Sequence, residues 1–243
     1  MSWRTDKVAG GHSVVSTALV AGLLTIAIVL SGDGADANGI HNRRAGAEEP
    51  ATRFERFVVA GCVPCVIESY PGTTLPIGIL KLPAFPRQAA GAMMRQGELR
   101  FEALRAYELG RPSRQSLAIR VSLSVAPGMG GELYRMAVGL VDEDDVPALS
   151  SAVTEILRLS AAGPLAADAE SAEVTFQGGS LRIGLIRFGG DMAAYVQAGD
   201  ISTFALRPAW EVGSTMYLRP EQLSAFAAAV GQLAARIKQL RGP

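Results

Sequence analysis

The compact group of reactive side chains in this sequence is Cys62-Val63-Pro64-Cys65. Two thiols at this spacing can close a small disulfide loop, exchange disulfides with a partner, or supply half of a four-ligand zinc site. The zinc option needs further ligands. Both histidines, His12 and His41, stand in the N-terminal segment, so the body of the chain has no imidazole. That absence removes Ser-His-Asp and Cys-His nucleophile activation, the usual catalytic zinc sites and the HExxH helix. No G-x-S-x-G elbow, G-x-x-x-x-G-K-[ST] phosphate loop or G-x-G-x-x-G turn occurs. Carboxylate-only, Ser-Lys and cysteine chemistry stay open, and no cofactor is expected.

The proline between the cysteines resembles the C-G-P-C motif of thioredoxins, in which a lowered thiolate pKa supports exchange. That chemistry requires the first cysteine near a helix N-terminus. Here Val66 to Tyr70 favours a strand and leads into Pro71-Gly72, a turn signal. Leu75-Pro76 is too close in sequence to act as the distant thioredoxin-type proline. The pair therefore reads first as a structural disulfide and second as a redox pair.

Two other groups merit placement. Asp142-Glu143-Asp144-Asp145 is an oxygen-rich run, and Asp142, Asp144 and Asp145 could face a hard cation. It lacks the alternating spacing of an EF-hand loop, so capping of the following helix by Asp144 or Asp145 is the preferred reading. Arg207 and Trp210 form a candidate interaction patch, since both residue types are common interface anchors. Pro127 to Gly131 and the later Gly-Gly pairs are hairpin connections. None stands between a strand and a helix start, where backbone amides would gather an anion.

The elements that must position these residues follow from hydrophobic period. Arg56 to Ala60 predicts a strand entering the cysteines, and Val66 to Tyr70 one leaving them. Glu98 to Leu109, Ser116 to Val125 and Leu133 to Val141 follow as strands. Glu173 to Gln177, Leu181 to Phe188, Met192 to Ala198, Ile201 to Leu206 and Thr215 to Leu218 form a second series, with glycine turns between most of them. Each series ends in an amphipathic helix. Val141, Val146, Leu149, Val153 and Ile156 recur with the same spacing as Leu218, Leu223, Phe226, Val230 and Leu233. The predicted class is α+β: two sequential antiparallel-sheet-plus-helix units forming a pseudo-repeat, each sheet followed by a helix that packs on a face. We place the first unit at 54–163 and the second at 164–243.

Ahead of them, Arg4 and Lys7 precede an apolar run from Val14 to Leu30, and Ala35-Asp36-Ala37 fits a small-residue cleavage site. This is the layout of a secretory signal over residues 1–37, with an uncleaved membrane anchor as its close rival. Residues 38–53 read as a flexible linker. The body is then extracytoplasmic, periplasmic or secreted, or else anchored by a single pass and touching the membrane only through residues 14–30. The 23 basic and 23 acidic residues cancel, so no overall field recruits nucleic acid or an anionic membrane. The order of four strands and a helix, repeated, resembles the whirly single-stranded DNA binders over residues 97–241. The basic lysine-glycine motif of that family has no counterpart, and no nucleic-acid partner is expected. The functional expectation is an exported, non-enzymatic binding or interaction domain for an unknown protein or surface partner. The alternative is an extracytoplasmic thiol-disulfide protein using Cys62 and Cys65.

Overall fold

The computed structural model of this chain describes residues 50–78, 80, 97–125, 134–163, 165–199 and 215–242. The chain folds into two four-stranded antiparallel sheets, each a meander in which sequence neighbours pair. The first contains β1 (Cys65–Ile77), β2 (Gly97–Glu108), β3 (Arg111–Val125) and β4 (Tyr134–Asp142). The second contains β5 (Ser171–Gly178), β6 (Leu181–Phe188), β7 (Asp191–Ala198) and β8 (Thr215–Leu218). Helix α1 (Arg53–Arg56) precedes the first sheet, α2 (Val146–Ala162) follows β4 and α3 (Pro220–Arg241) follows β8. The α+β class and the two similar sheets are as the hydrophobic period predicts. Alternation places Leu117, Ile119, Val121 and Leu123 of β3 on the core face, beside Leu99, Phe101 and Ala103 of β2, and all are buried.

All ten residues of the repeated spacing, from Val141 to Ile156 and from Leu218 to Leu233, are buried in one continuous cluster. That cluster draws on both sheets and both long helices. The helices are exchanged between the halves: α2 packs on β5, β6 and β7, whereas α3 packs on β1, β2 and β3. The expectation that each helix packs on a face holds, but the face belongs to the other sheet. β4 and β8 are edge strands, and each passes into its helix through only a few residues. A helix launched so abruptly from an edge projects across the gap between the sheets. Phe226 of α3 meets Phe101 of β2 edge-on, with ring centroids 5.1 Å apart. Gln222 donates to the Pro76 carbonyl at 3.2 Å and Thr73 to Gln232 at 2.9 Å, pinning α3 along β1. The two helices also pack on each other.

Several local readings are corrected. Pro71-Gly72 is no turn: both lie inside β1, where the register against β2 slips between Pro71 and Thr74. An edge strand tolerates the missing proline N–H, and Gly72 leaves room where a Cβ would press on Leu233 and the Phe101 carbonyl. Arg56 to Ala60 is helical. α1 runs into a π-helical turn, Phe57–Gly61, because Thr52 and Glu55 form a reciprocal capping box that starts a helix here. The signal or anchor over residues 1–37, the loop Pro127 to Gly131 and the strand Ile201 to Leu206 lie outside the described residues. Among the described residues, no helix is long and apolar enough to cross a membrane.

Because one core serves both halves, Phe226→Ala is expected to cost roughly 3–5 kcal/mol and to weaken both sheets together. Native-state hydrogen exchange checks this: protection should fall in β2 and in β6 alike. Loss confined to the first sheet would show that the halves are energetically separate.

Candidate functional site

Helix α1 and its π-helical turn lie over the outer face of the first sheet. Phe54 is buried there with Leu104, Ala106 and Ala118, and Phe57, Val58, Cys65 and Leu140 pack around them. Asp142 fixes the helix in place, its carboxylate accepting the Arg53 N–H at 2.7 Å and the Phe54 N–H at 2.9 Å. The chain then turns outward at Gly61. Cys62 is buried, Cys65 opens β1, and the two are joined in a disulfide with their Cα atoms 5.0 Å apart. The Pro64 carbonyl accepts the Leu109 N–H at 3.0 Å, which ties this loop to the turn between β2 and β3.

The environment of the pair differs from that of an exchange-active thiol. Cys62 sits at the C-terminal end of a helical turn, where the partial charge of the carbonyls disfavours a thiolate, and Cys65 enters a strand rather than a helix. What the loop does present is apolar surface. Val63 is 81% exposed, Val59 74%, Leu109 61% and Ile67 53%, and these are the large exposed hydrophobic residues recorded among the described ones. They collect at one end of the first sheet. Val59 and Val63 flank Cys62, Leu109 is bonded to the loop through Pro64, and Ile67 shares the Cys65 face of β1. Arg56, Arg111 and Arg114 are exposed around this tip. Arg111 and Arg114 share Glu108, at 4.0 and 2.8 Å, and its side chain is turned inward with 14% exposure. The cysteines are legible in the sequence; the exposure of the apolar residues around them is not, although Val59 closely precedes the motif and Val63 lies within it.

The acidic run takes its partners from the protein. Asp142 caps α1, as described. Asp144 pairs with Arg53 at 2.7 Å and with Arg241 at 3.9 Å, and Glu143 pairs with Arg241 at 3.2 Å. Asp145 occupies the N-cap position of α2 but its side chain makes no capping bond, and Asp144 makes none either. The expectation of a cap on the following helix is thus corrected: a 3-10 turn, Glu143–Asp145, leaves Asp145 in helical backbone geometry, so its carboxylate is not aimed at the free amides. Burial, and then the charges of Asp142 and Asp144, push the Asp145 carboxyl above its ordinary range, with Arg53 opposing. Among the described residues no group of three or more His, Cys, Asp or Glu is placed to hold a metal. Arg207 and Trp210 lie outside the described residues.

Two polar networks were not anticipated. On the core side of the first sheet, beyond its apolar residues, Glu68 accepts hydrogen bonds from Tyr70 at 2.6 Å and Tyr107 at 3.2 Å. Arg105 lies 3.7 Å from the same carboxylate, and the Arg236 guanidinium of α3 stacks 4.8 Å over the Tyr70 ring. This group fastens the end of α3 to the sheet. On the second sheet, Glu173 of β5 pairs with Arg182 of β6 at 3.1 Å and accepts from the Tyr195 hydroxyl of β7. The Tyr195 ring crosses β6 at Gly184, where a Cβ would collide with the hydroxyl and with the Val174 carbonyl. Gln197 donates to Thr215 at 2.8 Å on the same face. Burial, then the Glu173 charge, raises the Tyr195 pKa well above its usual value, with Arg182 opposing; burial and Glu173 raise that of Tyr217. No signal short of the pairing register would have joined these residues, which come from separate strands.

With that geometry in place, the chain can be compared with known proteins. No protein-family model matches it, and no curated protein matches it.

Two outcomes follow. Replacing both cysteines, Cys62→Ser with Cys65→Ser, is expected to lower stability by about 2 kcal/mol, the value for closing so small a loop, with the sheets intact by circular dichroism. Collapse of the sheet signal would make the disulfide a condition of folding instead. The raised tyrosine pKa values also have a sign. Neutral hydroxyls are favoured in the fold, so their contribution is complete below about pH 10, the unfolded tyrosine value, and is lost as pH rises beyond it. The urea midpoint should therefore fall above about pH 10, and a Tyr195→Phe, Tyr217→Phe double variant should fall less. An equal fall in both proteins would contradict the assignment.

Proposed function

We propose that this chain is an exported, non-enzymatic interaction domain whose contact surface is the disulfide-closed tip of its first sheet. The observation that carries the reading is the gathering of Val59, Val63, Ile67 and Leu109 around the bonded pair Cys62–Cys65. Apolar side chains held outward by the loop, the π-helical turn, β1 and the β2–β3 turn add nothing to the core. A cluster of them at one place is the usual mark of a contact site, whereas single exposed residues are unremarkable. The loop is held by a disulfide on one side, the Pro64–Leu109 hydrogen bond on another and the packed face of α1 beneath. A surface so constrained loses little conformational freedom on binding.

Export is supported by the basic, apolar and small-residue succession of residues 1–37. Periplasmic or secreted placement follows if the segment is cleaved, and a single-pass anchor if it is kept.

The test is a photo-crosslinking residue at position 63 in the producing cell, compared with the same residue at exposed Ser151 on α2. Adducts are expected from position 63 and not from 151. Equal labelling at the two positions, or none at either, would remove the tip as the contact surface.

A further inference from the structure

We infer that the surface met by this tip is an anionic lipid bilayer, with Val59, Val63, Ile67 and Leu109 entering the interfacial layer and Arg56, Arg111 and Arg114 lying against the headgroups. This rests on the interaction-domain reading above and names its partner. The first argument is the arrangement of charge. Apolar side chains at the extremity of a body, flanked by cations, reproduce on loops the pattern of interfacial binding helices. Of the carboxylates in this region, Glu55 and Glu108 are engaged from within the fold, and Glu68, on the opposite face of β1 from Ile67, is 34% exposed beside Arg105. Glu55 is engaged by the Thr52 amide and hydroxyl at 3.0 and 3.1 Å. Glu108 lies beneath Arg111 and Arg114. Arg56 donates to the Pro50 carbonyl at 3.4 Å and to no carboxylate among the described residues. The outermost charges of the tip are therefore cationic.

The second argument is the path of the chain. The apolar run Val14 to Leu30 is the membrane-seeking part of the sequence, and α1 begins at Arg53. Only residues 31–52 separate the two, a length that limits how far apart they can stand. From Arg53, α1 and the π-helical turn lead directly to Cys62. A chain held in a bilayer by Val14 to Leu30 would thus keep this end of the body within reach of the lipid surface. A protein partner would need its own acidic, apolar-centred patch. The bilayer supplies both features, and the same chain carries the segment that finds it.

The full chain, reconstituted in vesicles, tests this by hydrogen exchange. On vesicles of phosphatidylglycerol and phosphatidylcholine, amides of residues 57–67 and 105–114 should exchange several-fold more slowly than on phosphatidylcholine alone. High salt should reverse much of that protection, because screening weakens the headgroup contacts. Val63→Asp with Leu109→Asp should leave the chain on the vesicles and abolish the tip protection. Equal exchange on both vesicle types would overturn the proposal. So would protection that follows the protein-to-lipid ratio, which would make a second copy of the chain the occupant. If the tip stays unprotected on vesicles but crosslinks in the cell to a protein, the interaction reading survives and the bilayer does not. If neither occurs, both fall.

Discussion

Sheets of this kind are apolar on one face, and that face must be covered. In this chain the cover for each sheet is the helix belonging to the other. α3 lies on β1, β2 and β3 through Phe226, Val230 and Leu233, while α2 lies on β5, β6 and β7. Among the described residues the two halves share one continuous core. The exchange explains why the helix spacing is repeated so faithfully: both helices solve the same problem against equivalent surfaces, pressed together in the middle. It also explains the glycine at position 72, where the backbone of an edge strand must yield to the approach of Leu233.

Around this exchange the polar residues act as fasteners. Arg53 and Arg241 converge on Glu143 and Asp144, joining α1, the start of α2 and the end of α3. Glu68 and its two tyrosines hold the other side of α3 through Arg236. Arg187, buried at the end of β6, donates to the carbonyls of Leu165, Ala166, Ala169 and Gly189 and so organises the turn between α2 and β5. Exposed pairs among these contribute little each. Their value lies in fixing where long elements end. The tip around Cys62–Cys65 is different in kind, since its apolar residues face outward and secure nothing within the fold.

Periodicity made the strands and long helices readable, because alternation in Ser116 to Val125 and the three- and four-residue steps in Leu223 to Ile237 leave few alternatives. Three things resisted. Arg56 to Ala60 has β-leaning side chains, yet the Thr52–Glu55 box and the distant Asp142 carboxylate make it helical; the box was visible in the sequence, the carboxylate was not. Pro71-Gly72 has the composition of a turn, but neighbours in β2 hold it in the ladder. The helix exchange is a property of connection length at an edge strand, which hydrophobic pattern does not record. As for the site, the cysteines stood out by residue type. The exposed valines and Leu109 did not, because an apolar residue in a strand-like stretch is assigned to the core until the fold shows which way it points.

The position of α3 has a consequence for how this protein is made. The first sheet is synthesised early, and its inner face is closed by residues 220–241, which emerge long after. During translation Leu99, Phe101, Leu117 and Ile119 lack the cover of α3 until that helix has been made. The nascent chain is therefore held back from premature closure by its own topology. The first sheet is thus finished not by its own neighbours in sequence but by a helix made well downstream of it.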